Sequence, residues 1–172
     1  GDPSRPELWK QLDEVILREW PHAIAKPLRP DVVAIDSGGH FTAEVYQYAR
    51  ERGRQGVVAI KGQSQRGKAP IGKASKVDFN WKGRRIKNAA EVYPVGSDTI
   101  KGTLYGRLKL NSPGAGYMHF HGELPEGYFE QLTAEKQITR YVKGFPVREW
   151  VKKSGARNEA LDCAVYAYAA LQ

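Results

Sequence analysis

The stretch VVAIDSGGHF, residues 32 to 41, sets Asp36 directly after a β-branched apolar run and directly before Ser37, two glycines and His40. A short apolar run bounded by turn residues reads as an interior strand. Ligands of open α/β sheets gather at the carboxyl ends of strands, so Asp36 stands where chemistry tends to be. A second carboxylate, Asp162, sits in RNEALDCAVYAYAALQ, an alanine-rich helical stretch with Leu161, Val165 and Tyr168 on its apolar face. A charge in such a setting is costly unless paired. Taken alone, Asp162 reads as an acid at the edge of the apolar stripe, bonded to a backbone N–H or an arginine. Two such carboxylates, one at a strand end and one on a helix able to pack beside it, suit Mg²⁺, and paired ions can stabilise both oxygens of a phosphoryl displacement.

The charge pattern points the same way. Net charge is +8, and residues 50 to 88 hold twelve of the 27 Lys and Arg but only two of the 19 acids, Glu51 and Asp78. Within this segment QSQRGKAPIGKASK is poor in large apolar residues and rich in Gly, Lys and Ser, which reads as a mobile loop. Lys61, Arg66, Lys68 and Lys73, followed by Arg84 and Arg85, are candidates for nucleic-acid binding, because each neutralised phosphate releases counterions. The plain alternative is a solvated surface loop. An acidic site beside a basic loop suggests a nuclease.

Other residues carry weaker signals. His40 could orient a phosphate or move a proton, or cap the helix that follows. Lys61 could meet the scissile-strand phosphate or merely begin the basic loop. Glu159, one turn before Asp162, is a candidate support for the site or a solvated acid. His119 and His121 would share one face of a strand, but no further Cys or His pair stands at zinc-ligand spacing, so they read as structural or substrate-facing. Tyr166 and Tyr168 read as core. GQSQRGKA, residues 62 to 69, resembles a P-loop as far as Lys68; Ala69 then replaces the Ser or Thr that Mg²⁺ needs, and Pro70 and Gly72 oppose the helix.

These side chains need elements to hold them. Helical spacing of Leu8, Leu12, Val15 and Ile16 predicts a first helix over 6–20, with Ser4 as N-cap, Pro6 in the first turn and Pro21 as the stop. DVVAID is then a strand, TAEVYQYARER a helix capped by Thr42, and GVVAIK a second strand. DFNWKGRRI and AEVYPV read as further strands, and SDTIKGTLYGRLKL as a helix opened by Ser97 or Asp98. GYMHFH reads as a strand, PEGYFEQLTAE as a short helix, QITRYVKGFPVREWVKK as a hairpin turning at Lys143 to Pro146, and the last stretch as a helix. The alternation predicts an α/β domain, with a mixed sheet if the hairpin joins it.

A chain of 172 residues with 41% hydrophobic composition suits one domain with one substantial core. No apolar stretch reaches bilayer-spanning length, GDPSRPELWK has no signal-peptide character, and Cys163 is the single cysteine, so a cytosolic chain without membrane or disulfide is expected.

AIDSGGHFTAEVYQYAR, VVAIKG, GYMHFHGELPEGYFEQLTAEK and RNEALDCAVYAYAA, in that order, resemble the nuclease portion of the large terminase subunit of lambda-like tailed phages. The resemblance runs over almost the whole chain. It implies a ribonuclease H-like mixed sheet flanked by helices, and a metal-dependent endonuclease that cuts concatemeric double-stranded DNA during genome packaging. It also implies Mg²⁺ or Mn²⁺ held by Asp36 and Asp162, with two ions in the complete site and His40 as a further catalytic candidate. Partners would be DNA and, through the full-length protein, the small terminase subunit and the portal, in the host cytoplasm. Ribonuclease H-like nucleases usually begin with an antiparallel meander carrying a first metal-binding Asp. This sequence opens at GDPSRPELWK instead, so residues 1–172 are expected to be a single nuclease domain from a longer chain, without its first strands and an upstream ATPase. The rival from another class is a non-catalytic basic DNA-binding module of a packaging or recombination complex, with the two acids structural. A weaker rival is a nucleotide-binding protein using residues 62–69.

Overall fold

The structure is a computed structural model describing residues 2–172. Its frame is a four-stranded sheet in the order β1-β2-β4-β3. β1 (Val33–Asp36), β2 (Val57–Gln63) and β4 (Arg84–Gly96) run parallel, and β3 (Ser75–Trp81) runs antiparallel to β4. The fold is α/β with a mixed sheet flanked by helices.

Both faces of the sheet are covered, as parallel strands require. Along β2, residues alternate between faces: Val57 and Ala59 enter one core, and Ile60 enters the other. The first core takes α1 (Pro6–Ile16) and α2 (Thr42–Arg52) through Trp9, Leu12, Ile16, Val45, Tyr46 and Tyr48. The second takes α3 (Ser97–Arg107), α4 (Tyr128–Leu132) and α5 (Glu159–Leu171) through Ile100, Leu104, Leu132, Leu161, Val165 and Ala169. Leu161 and Val165, read as a helical face from spacing alone, are 0% and 1% exposed.

Several expectations need correction. The mixed character of the sheet comes from the β3–β4 hairpin, which turns on Lys82 and Gly83, both at positive φ as a two-residue hairpin turn demands. The C-terminal hairpin, β5 (Glu135–Val142) with β6 (Phe145–Lys152), does not join that sheet but forms a separate two-stranded ribbon. GYMHFH is not a strand. Met118 and Phe120 pack on the second core, which produces the alternation, but no neighbouring strand supplies a ladder. α1 stops at Ile16 rather than Trp20. The residue before a proline is pushed out of helical conformation, and Trp20 pairs its backbone with Leu28 instead. Its N-cap is Arg5, because Ser4 turns back to Asp2; the N-cap of α2 is Phe41, with Thr42 one residue further on.

Candidate active site at the carboxyl ends of the parallel strands

Asp36 is the last residue of β1, in register with Ile60 of β2. The chain turns at once. Ser37, 2% exposed, donates from both N–H and Oγ to the Ile60 carbonyl at 2.9 and 2.8 Å. Gly38 N–H donates to Asp36 Oδ1 at 2.9 Å, and a Cβ on Gly38 would stand 3.2 Å from that oxygen. Thr42 Oγ1 closes the turn on the carbonyls of Ser37 and Gly39, each at 2.8 Å. The small residues after Asp36 therefore let the backbone fold close against its carboxylate.

Asp162 comes from the first turn of α5, across the same end of the sheet. The charge of Asp36 acts on it, and both charges act on the Tyr166 hydroxyl, which lies against the Asp36 carboxylate. Burial, then the neighbouring charges of Glu135 and Asp36, hold the Asp162 carboxyl above its usual range, while Lys101 and Lys152 oppose them. Burial and the same two aspartates push the Tyr166 phenol upward. Gly62 in β2 makes room for this cluster: a Cβ there would stand 3.1 Å from Ser97 Oγ and 3.2 Å from Tyr166 Oη.

Behind Asp162 lies a hydrogen-bonded support that the sequence reading misses. Asn158 Nδ2 donates to Asp162 Oδ2 at 3.1 Å and to Glu135 Oε1 at 3.0 Å. Lys101 Nζ donates to both Glu135 oxygens, at 2.9 and 2.7 Å. Tyr105 Oη donates to the Glu135 carbonyl at 2.6 Å. Asn158, Asp162 and Tyr166 recur every fourth residue, one face of a helix, and that spacing was the available signal for Asn158 and Tyr166. For Lys101 and Glu135, on different elements, no sequence signal exists.

The remaining candidates separate. His40 is exposed in the turn before α2 and does not cap it, since the cap is Phe41. Glu159 points to solvent and pairs with Arg157 at 3.2 Å. The place beside Asp162 is taken by Asn158, one turn back, while Glu159 turns to Arg157. His119 is exposed and edge-on to Tyr117, and His121 Nδ1 accepts the Glu123 N–H at 3.2 Å, so no strand face joins them. Lys61 is exposed on β2 two residues from its end.

The basic segment is not one surface. Arg84 and Arg85 begin β4, a 13-residue strand, so they lie about 40 Å along it from the site end. Arg85 is also engaged with Asp78 at 2.8 Å. Arg66, Lys68 and Lys73 occupy the connection between β2 and β3, which has little regular structure but is not loose. Ile71 bridges to Val95, Gly72 N–H donates to the Pro94 carbonyl at 2.8 Å, and Thr99 Oγ1 donates to the Lys68 carbonyl at 2.7 Å. No helix follows Lys68, and the P-loop reading fails on that geometry.

Oxygen donors on two side chains whose charges act on each other, Asp36 open to solvent and Asp162 half-buried, suit a hard divalent cation whose remaining ligands are water or phosphate. Among the described residues no three Asp, Glu, His or Cys side chains are grouped to hold a metal.

Comparison with known proteins decides the family. The model of the "Terminase large subunit gpA, endonuclease domain" family matches residues 1–172. The chain belongs to that family. It is 33% identical over 171 residues to the large terminase subunit of Escherichia phage lambda, covering 94% of this chain and 25% of the relative. It is 32% identical over 182 residues to the large terminase subunit of Enterobacteria phage P21, covering 100% of this chain and 27% of the relative. This terminase endonuclease domain thus spans about a quarter of the length of those relatives. No solved structure matches it. Among its described residues no helix is long and apolar enough to cross a membrane.

Proposed function

We propose that the chain is a metal-dependent DNA endonuclease of viral genome packaging, hydrolysing phosphodiester bonds of concatemeric double-stranded DNA beside Asp36 and Asp162. What supports this reading is that Asp36, at the carboxyl end of β1, and Asp162, in the first turn of α5, stand near enough for their charges to act on each other and on the Tyr166 hydroxyl. Asp36 and Asp162 would hold Mg²⁺ or Mn²⁺. Such an ion, when bound, polarises a phosphoryl oxygen and acidifies bound water.

The chain's own residues do the positioning. Asn158 fixes one oxygen of Asp162 and leaves the other free, and the Lys101–Glu135 pair fixes Asn158. The Tyr166 hydroxyl, held protonated, lies against the Asp36 carboxylate. Lys61, Arg66 and Lys68 offer cations to the DNA backbone near the same end of the sheet, and His40 stands in solvent four residues from Asp36, free to meet a phosphate. The two-ion arrangement requires more oxygen donors than the described residues bring together. A ribonuclease H-like ancestry for the sheet belongs to the same proposal and draws support from the parallel strands with an acid at a carboxyl end. In the full-length protein the partners would be the small terminase subunit and the portal, in the host cytoplasm.

The test is cleavage of supercoiled plasmid in Mg²⁺ and in Mn²⁺ by the chain and by Asp36→Asn and Asp162→Asn. Loss of cutting without a fall in the melting temperature supports the proposal. Undiminished cutting by either variant overturns it, and DNA binding without metal-dependent cutting by the parent chain would favour the non-catalytic module.

A further inference from the structure

The β5–β6 ribbon has no part in the site as described, yet its root is fixed to it. Residues directly paired in the ribbon share a face, so Gln137 with Trp150, Thr139 with Arg148, and Tyr141 with Pro146 form one side. At the root of that side Trp150 packs on Tyr105 with ring centroids 4.7 Å apart, and Tyr105 holds the backbone of Glu135. Further out, every residue from Thr139 to Arg148 is exposed. Tyr141 and Phe145 are 75% and 73% exposed, and Val142 is 53% exposed.

Large apolar side chains clustered at the end of a protruding ribbon mark an interaction surface. The charge on the ribbon says of what kind. Lys143 and Arg148 have no ion-pair partner among the described residues, and the one acid on the outer part, Glu149, is taken by Arg140. Arg148 and Gln137 also line a cavity of about 240 Å³, whose other walls include Arg66 of the basic connection and Asp98 and Thr99 of α3. Two cations from distant parts of the chain thus line one cavity. A two-stranded ribbon has the width to enter the major groove of a duplex, and apolar side chains can wedge against base steps.

We propose that the β5–β6 ribbon is a DNA-gripping arm, in which Arg148 and Arg66 contact phosphates from the walls of one cavity while the tip of the ribbon enters a groove of the same duplex, with Tyr141 on the Arg148 face and Phe145, paired with Val142, on the other. This rests on the reading of the chain as a DNA endonuclease and names the surface that presents the duplex to it. Because the ribbon root shares Glu135 with the support of Asp162, the arm sets where the duplex lies relative to Asp162.

The test is equilibrium binding of a fluorescent blunt-ended DNA duplex to the chain in EDTA, over a series of salt concentrations. Arg148→Ala should weaken binding several-fold and flatten the log–log salt slope by about 0.9, the contribution of one phosphate contact, while Arg148→Lys restores the slope. Tyr141→Ser with Phe145→Ser should weaken binding at every salt concentration without changing the slope. Melting transitions at the parent temperature show that the variants fold. Unchanged affinity and slope in all of them overturn the arm, as does a double variant that keeps its DNA affinity but changes the sedimentation of the chain, which would make the tip an interface between copies. Cleavage by Asp36→Asn, measured in parallel, judges the nuclease reading separately, since that substitution leaves the arm intact.

Discussion

Lys101 Nζ bridges both carboxylate oxygens of Glu135, at 2.9 and 2.7 Å, with only 13% and 6% of the two side chains exposed. Breaking such a pair from one side strands the other charge in a poorly solvated place, which costs about 3–5 kcal/mol when burial is complete. Lys101→Met and Glu135→Gln should each lower the melting temperature markedly, and the double variant should lose less than the two losses combined. Additive losses in that double-mutant cycle would show that the two charges do not act as a unit.

Asp162 titrates above its ordinary range because burial disfavours its charge. A carboxyl whose folded pKa is raised contributes stability that is full below its unfolded pKa and is lost as pH rises through the folded one. Charged Asp162 therefore costs stability at neutral pH, and the fold tolerates it for the sake of the site. Asp162→Asn should raise the melting temperature at neutral pH and leave it little changed in acid, while abolishing cutting. Affinity for Mn²⁺, followed by calorimetry, should climb with pH through the same window. Equal melting shifts at both ends of the pH range would contradict the assignment.

Gly96 ends β4 where the Lys68–Pro70 backbone crosses it: its N–H donates to the Ala69 carbonyl, and a Cβ there would stand 2.7 Å from the Lys68 carbonyl oxygen. Gly96→Ala must push the basic connection away from the strand. Proteolysis within residues 64–74 should accelerate several-fold, and DNA affinity should drop although no charge is lost. Parent-like proteolysis would show that the connection tolerates displacement.

The separation of the basic residues predicts different consequences for similar substitutions. Arg66→Ala with Lys68→Ala, near the acidic pair, should weaken duplex binding and flatten its salt slope by about 1.8 if both meet phosphates. Arg84→Ala, at the far tip of the β3–β4 hairpin, should leave both quantities unchanged. Equal effects from the two sets would mean that DNA runs along the whole hairpin and not across the strand ends.

The sequence alone determined the elements whose information is local. The run ending at Asp36, the helices over 42–52 and 159–171 and the turn at Lys143 and Gly144 follow from apolar periodicity and turn chemistry, which act within a few residues. Asp36 was legible as an acid closing an apolar strand, and Asp162 as an acid among apolar residues of a helix, both of them local properties. Pairing between segments was decided only by the tertiary structure. Nothing in GYMHFH says that no strand waits beside it, and nothing in QITRYVKGFPVREW says whether it extends the sheet or stands apart. The support of Asp162 is of that kind as well. Glu135 is an unremarkable acid until packing of α3 against the ribbon root removes water from it and presents Lys101, and Asn158 becomes a site residue only because Glu135 is there to share it. Desolvation of a charge depends on every atom around it, from all parts of the chain, and so it exists only once the chain has folded.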